Sequence, residues 1–260
     1  MGSRSRIRRA AKVVLAIAEL ALSAMLYLVA ASLVALLIVR VGSDWIDGTN
    51  PLAGAAERPR LYPQQIAMRE LALDVLRQIC LAGLVMGIGR WRIGPGWRGT
   101  LALGWRPGES WRLAPVTFGA ILLVWPVLHI VWVTGTAEFF HAPFGRHVGL
   151  SPFLSTTATV VWLAYVAILA PIAEELLMRG AIFAKGLAPL GPAGIIVTSA
   201  ILFSGAHVTP AGFARPVSLV PLALVLGWLR WRSGRLWPCI LLHGWSNLAM
   251  VAYVLWPTDI

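Results

Sequence analysis

Charge is scarce in this chain of 260 residues. Only 13% of positions are charged, with eleven Asp and Glu against twenty-two Lys and Arg. A soluble domain carries about 25% charged and about 45–50% apolar residues, whereas 58% of this chain is hydrophobic and its mean hydropathy is +0.75. That balance excludes a water-soluble globular enzyme. The net charge of +11 first suggests a polyanion, but a nucleic-acid binder needs a polar surface on which to display its basic patch. Too few polar residues are present to cover one, so nucleic acid is excluded as a partner. Cysteine is nearly absent: Cys80 and Cys239 each sit in an apolar run without C-x-x-C spacing. No disulfide framework or cysteine metal site is expected, and each reads as a small buried hydrophobe. The chain also lacks His-Glu-x-x-His, the strongest zinc-peptidase signature, and lacks Gly-x-Gly-Asp and Gly-x-Ser-Gly.

Long apolar runs fill the chain instead. The first, residues 13–39, follows Arg4, Arg6, Arg8, Arg9 and Lys12. It is longer than the roughly 7–15-residue core of a secretory signal and reads as a retained span. Position 6 is Arg, so Gly2 opens no myristoylation signal. Further runs occupy residues 71–89, 113–134, 154–187, 193–208, 217–230 and 237–256, the second weakened by Asp74 and Arg77. Pro and Gly cluster at 189–194 and 209–216, and Ser233–Gly234 separates the last two runs. The pattern predicts an all-α, polytopic transmembrane bundle of about seven spans, with six to eight compatible, at about 20 residues each. Residues 1–260 form a single membrane domain without internal repeats. On alternate sides of such a bundle, fourteen Lys and Arg face six. The positive-inside rule then predicts a cytoplasmic N-terminus in the cell (inner or plasma) membrane, with the lipid bilayer as the first partner.

Within these runs stand groups that a membrane disfavours. A charge at the bilayer centre costs at least about 2.5–3.5 kcal/mol on insertion scales, yet the fourth run reads Ala-Pro-Ile-Ala-Glu174-Glu175-Leu-Leu-Met-Arg179-Gly180. Glu175 and Arg179 are i, i+4 neighbours and pair along one helix face. Glu174 is offset by about 100° and points elsewhere, where a carboxylate among apolar groups suits general-base work. The fifth run places Phe203 and His207 on one face, and the seventh places His243 and Asn247 on another. Alone, His207 reads as a helix–helix hydrogen-bonding residue, and Glu175 with Arg179 as a structural ion pair. Together with Glu174, His243 and Asn247 they point to a reaction centre. Ser204 reads as a small packing residue, His129 as a structural residue of the third span, and His141 and His147 as solvated loop residues.

A simple hairpin turning at about residue 190 brings Glu174 and His207 to the same depth. His243 lies nine residues past Gly234, which predicts a position about 10 Å shallower at ~1.5 Å per residue.

Glu-Glu-x-x-x-Arg, Phe-x-x-x-His and His-x-x-x-Asn, in that order on late membrane helices, resemble the CPBP family of intramembrane proteases, also called the type II CAAX-processing or Abi family. The resemblance covers about residues 154–250 as a catalytic core, and Leu103-Gly104-Trp105-Arg106 is similar to the family as well. It implies hydrolysis of a peptide bond in a membrane-embedded or lipidated peptide or protein substrate. Glu174 would be the general base, activating a water together with His207. His243 and Asn247 would stabilise the tetrahedral oxyanion, and Glu175 with Arg179 would orient the first motif. Family members are often called metalloproteases, and Glu174, His207 and His243 are candidate ligands for a divalent metal such as zinc. The residues leave open whether that metal or a metal-free, glutamate-activated water does the chemistry. Two other classes use similar groups. A transporter would relay protons through them, although no repeat symmetry is visible. A non-catalytic immunity or scaffold protein would carry them on the same fold.

Overall fold

The computed structural model describes residues 2–50, 54, 60–104, 113–142, 150–209 and 212–255. Six long helices dominate: α1 (Gly2–Ile46), α2 (Pro63–Ile93), α3 (Pro115–Phe139), α4 (Thr156–Gly205), α5 (Ala214–Ser233) and α6 (Trp237–Leu255). No sheet forms among the described residues. Their starts follow local chemistry. Pro63 and Pro115 occupy the first turns of α2 and α3, where a missing N–H costs nothing. Ser155 caps α4 by accepting from the Ala158 N–H at 3.3 Å.

The chain is a polytopic helical membrane bundle: α1, α2, α3, α4 and α6 are each long and apolar enough to cross a bilayer. The expected number of rods is recovered because α4, 50 residues long, is folded back on itself. Gly191 adopts φ 68°, ψ 175°, between Pro189 and Pro192, a conformation in which a side chain is strained. Contacts on either side pair symmetrically about residues 190–191. Arg179 lies over the Phe203 ring at 4.8 Å, His207 faces Glu174 at 4.0 Å, and Gly186 abuts Ile195. The seventh rod, α5, carries Arg215, Arg230 and Arg232 and falls short of a span by composition. Its Leu222, Ala223, Leu226 and Leu229 are fully buried by neighbouring helices.

One expected depth is corrected. His243 is not shallower than Glu174: its Nε2 lies 3.9 Å from Glu174 Oε2. The turn between α5 and α6 is sunk into the bundle. Gly234, left-handed at φ 67°, closes α5, and the Leu236 N–H donates to the Ala102 carbonyl at 3.2 Å. That connector packs on Gly180, whose absent Cβ would stand 3.7 Å from the Leu101 carbonyl oxygen. The turn therefore starts at the level of Gly180, about one helical turn and a half from Glu174, and not at the level of the Gly191 bend. Seven residues of α6 then suffice to bring His243 level with the glutamates.

Candidate active site

Two π-helical stretches in α4, Tyr165–Leu169 and Leu176–Ile182, prepare the site. A π-turn shifts each N–H one residue back and frees a carbonyl from the helical ladder. The Ala170 N–H goes to Tyr165 O, which releases Val166 O, and Asn247 Nδ2 donates to it at 2.9 Å. The Phe183 N–H goes to Met178 O and Gly180 O, which releases Arg179 O, and Arg230 Nε donates to it at 2.8 Å. Pro171, lacking an N–H, also leaves Ala167 O without its helical donor. That oxygen faces Gly244, where any Cβ would collide with it. The first rod of α4 is thus clasped by α5 and α6 at the carbonyls it cannot satisfy itself.

Between these clasps Glu175 and Arg179 form a fully buried ion pair, Nη1 to Oε1 at 3.0 Å. Arg179 Nη2 also donates to Ala223 O at 2.8 Å. A second donor reaches the same carboxylate oxygen: His243 Nδ1 stands 3.0 Å from Glu175 Oε1. These further hydrogen bonds offset part of the cost of burying two charges, although Glu175 Oε2 and Arg179 Nε find no partner among the described residues. Here those bonds also fix the His243 ring, because an Nδ1 that donates to a carboxylate turns Nε2 the other way.

What Nε2 faces is Glu174. Its Oε2 lies 3.9 Å from His243 Nε2 and 4.0 Å from His207 Nε2. His207 is held alike, its Nδ1 donating to Phe203 O at 2.8 Å. Phe203 packs between the two imidazoles, with ring centroids at 4.9 Å and 5.5 Å. The other Glu174 oxygen accepts from Gln78 Nε2 of α2 at 3.1 Å. Glu174, His207, His243 and Asn247 line one cavity of about 510 Å³, in which Asp74, Arg77 and His129 also take part. The structure therefore gathers all six sequence-derived residues, four around the cavity and Glu175 with Arg179 buried behind His243.

Glu174, His207 and His243 are chemically a His2Glu donor set, but a tetrahedral ion with bonds of about 2.0–2.1 Å holds its donors about 3.3 Å apart. The separations of 3.9 Å and 4.0 Å exceed that. Among the described residues no three His, Cys, Asp or Glu side chains are gathered closely enough to hold an ion. As placed, the residues do not fit a metal.

Comparison with known families meets this geometry at one stretch of chain. Residues 155–249 match the family model of type II CAAX prenyl endopeptidases, Rce1-like. The match agrees with the CPBP resemblance, and Glu174, Glu175, Arg179, His207, His243 and Asn247 all fall inside it. No curated protein and no solved structure matches the chain.

Gln78 and His129 lie outside the Rce1-like stretch and escape the sequence reading. Gln78 carried a signal, since an amide beside Asp74 and Arg77 in an apolar run demands a partner. His129, read as structural, proves to line the cavity with the Rce1-like residues. Asp74 is paired with Arg77 at 2.9 Å. His141 is exposed at the end of α3, whereas His147, Trp105 and Arg106 lie outside the described residues. Cys80 and Cys239 are both free thiols; Cys239 is buried as expected, whereas Cys80 is only partly buried.

Proposed function

We propose that this membrane protein is an intramembrane endopeptidase that hydrolyses a peptide bond of a membrane-associated or lipidated substrate through a Glu/His-activated water. The observation that carries the reading is the convergence of His207 Nε2 and His243 Nε2 on Glu174 Oε2 at 4.0 Å and 3.9 Å across a cavity. Those separations are too long for direct hydrogen bonds and suit groups that share one water. The Rce1-like match supports proteolysis at the membrane.

The chemistry follows from which nitrogens are occupied. Phe203 O and the Glu175 carboxylate only accept, so both Nδ1 atoms carry hydrogen and both Nε2 atoms face the reacting water. Glu174 removes one proton from that water while His207 Nε2 accepts its other hydrogen and aims the oxygen at the substrate carbonyl carbon. His243, protonated at Nε2 and backed by Glu175, donates to the oxyanion that forms. The second N–H of the Asn247 amide, the first being on Val166 O, donates beside it. Glu174 then returns its proton to the amine nitrogen as the C–N bond breaks. Gln78 keeps Glu174 turned toward the water.

A transporter would need a path across the bundle, and nothing observed favours one. The test is quantitative proteomics of membrane peptides from cells making wild type, Glu174→Ala or His207→Ala protein. We expect an uncut membrane protein to accumulate in both variants with its cleaved form only in wild type. Identical peptide profiles would refute the assignment and favour a non-catalytic scaffold.

A further inference from the structure

His129 is the one ionisable side chain between residues 113 and 137, in a helix otherwise suited to lipid. A bilayer penalises such a group unless it serves a site. Its side chain is buried at 5% exposure, and its Nδ1 makes no hydrogen bond. It does not turn toward lipid; it lines the cavity that Glu174, His207 and His243 share. The ring is also held in place. It packs on Trp125 with centroids 5.7 Å apart, and the Trp125 indole N–H donates to Ser246 Oγ of α6 at 3.2 Å. Ser246 sits between His243 and Asn247 on the same helix. A residue from α3 is thereby registered against the helix that carries half of the candidate site, with one ring nitrogen unused.

We propose that His129 is a substrate-binding residue, its imidazole hydrogen-bonding a main-chain group of the peptide beside the scissile bond. This inference rests on the endopeptidase reading and deepens it. An extended peptide entering the cavity leaves water with its main-chain N–H and C=O groups unpaired. The cavity wall also includes Val133, Val166 and Leu219, whose side chains offer no hydrogen bond. A ring nitrogen of a neutral imidazole donates or accepts according to its tautomer, so it suits either main-chain group. A main-chain contact recognises an unfolded segment whatever its side chains, so His129 selects for extended peptide and not for one sequence.

The test uses the full chain in proteoliposomes with a quenched fluorescent peptide carrying a farnesylated cysteine three residues before its C-terminus. A transmembrane peptide without the lipid forms a second arm. His129→Phe and His129→Leu remove both ring nitrogens, and His129→Asn restores a hydrogen-bonding group on a shorter side chain. We expect KM to rise about tenfold in the Phe and Leu variants with kcat within about twofold of wild type, and Asn to recover most of the loss. Thermal midpoints measured alongside separate this from a packing role, which would lower stability without an Asn rescue of KM. Unchanged KM in a folded nitrogen-free variant overturns the inference alone, while leaving the endopeptidase reading intact. Failure of wild type to cleave either peptide overturns that reading and this inference with it.

Discussion

His243 turns its two ring nitrogens to consecutive glutamates of one helix: Nδ1 lies 3.0 Å from Glu175 Oε1, within hydrogen-bond reach, and Nε2 lies 3.9 Å from Glu174 Oε2. Two adjacent glutamates thereby take unlike roles. Glu175, fully buried with Arg179, sets the orientation of the imidazole. Glu174 lies in the cavity with Gln78 on its other oxygen, where the proposed mechanism has it meet the substrate.

This division predicts different losses from like substitutions. Glu175→Gln removes the charge that Arg179 and His243 share, leaving a buried guanidinium without its anion. Breaking a buried pair costs about 3–5 kcal/mol, and a misoriented histidine lowers kcat by about a hundredfold or more. Glu174→Gln abolishes turnover while the thermal midpoint stays near that of wild type. Thermal unfolding in detergent, measured on both variants, checks the contrast. Equal midpoints would place Glu175 outside the stabilising network.

Gln78 holds the base from a different helix. Gln78→Leu keeps the volume but removes the donor to Glu174 Oε1, which should lower kcat/KM about tenfold with little effect on folding. Steady-state kinetics on purified protein decide this, and an unchanged kcat/KM would remove Gln78 from the site.

Gly244 sets the approach of α6 to α4. A Cβ there would collide with Ala167 O, a backbone atom that cannot rotate away. Gly244→Ala should cost about 1–3 kcal/mol of stability and lower activity by displacing His243 and Asn247 together. Gly205→Ala is the control, since a Cβ at Gly205 meets nothing within 4 Å. Equal stability of the two variants would contradict the close packing of α6 on the freed Ala167 carbonyl.

The rods and most of the candidate site were legible in the sequence, because apolar length marks spans and charges inside them stand out. Glu175 with Arg179 obeyed helical spacing, and the Glu174–His207 meeting followed from a hairpin about residue 190. His243 was misplaced in depth because counting residues from Gly234 assumes a turn at the bundle end, whereas the Leu236–Ala102 hydrogen bond sinks that turn to the level of Gly180. The π-helical stretches were invisible, since a one-residue shift in backbone pairing leaves no mark on hydrophobic periodicity. With them went the Val166–Asn247 and Arg179–Arg230 clasps. Gln78 was missed because its partner, Glu174, comes from a distant part of the chain, and the place of His129 in the cavity because it depends on how α3 packs against the later helices.

Counting α5 as a crossing rod beside the other six gives an odd number, which puts the two chain ends on opposite sides. Fourteen Lys and Arg on one set of connections against six on the other predict a cytoplasmic N-terminus and an outside C-terminus. Reporters that are active only in the cytoplasm, fused at either end, check this. Activity at both ends would require α5, with its Arg215, Arg230 and Arg232, to lie within the bundle without crossing.

The most direct test of the central claim is single-turnover cleavage of the farnesylated peptide by wild type and Glu174→Gln in proteoliposomes, with chelator present throughout. The account predicts cleavage by wild type that survives the chelator and a fall of about a thousandfold or more in Glu174→Gln. Undiminished cleavage by Glu174→Gln, or complete loss of wild-type cleavage on chelation, would contradict it.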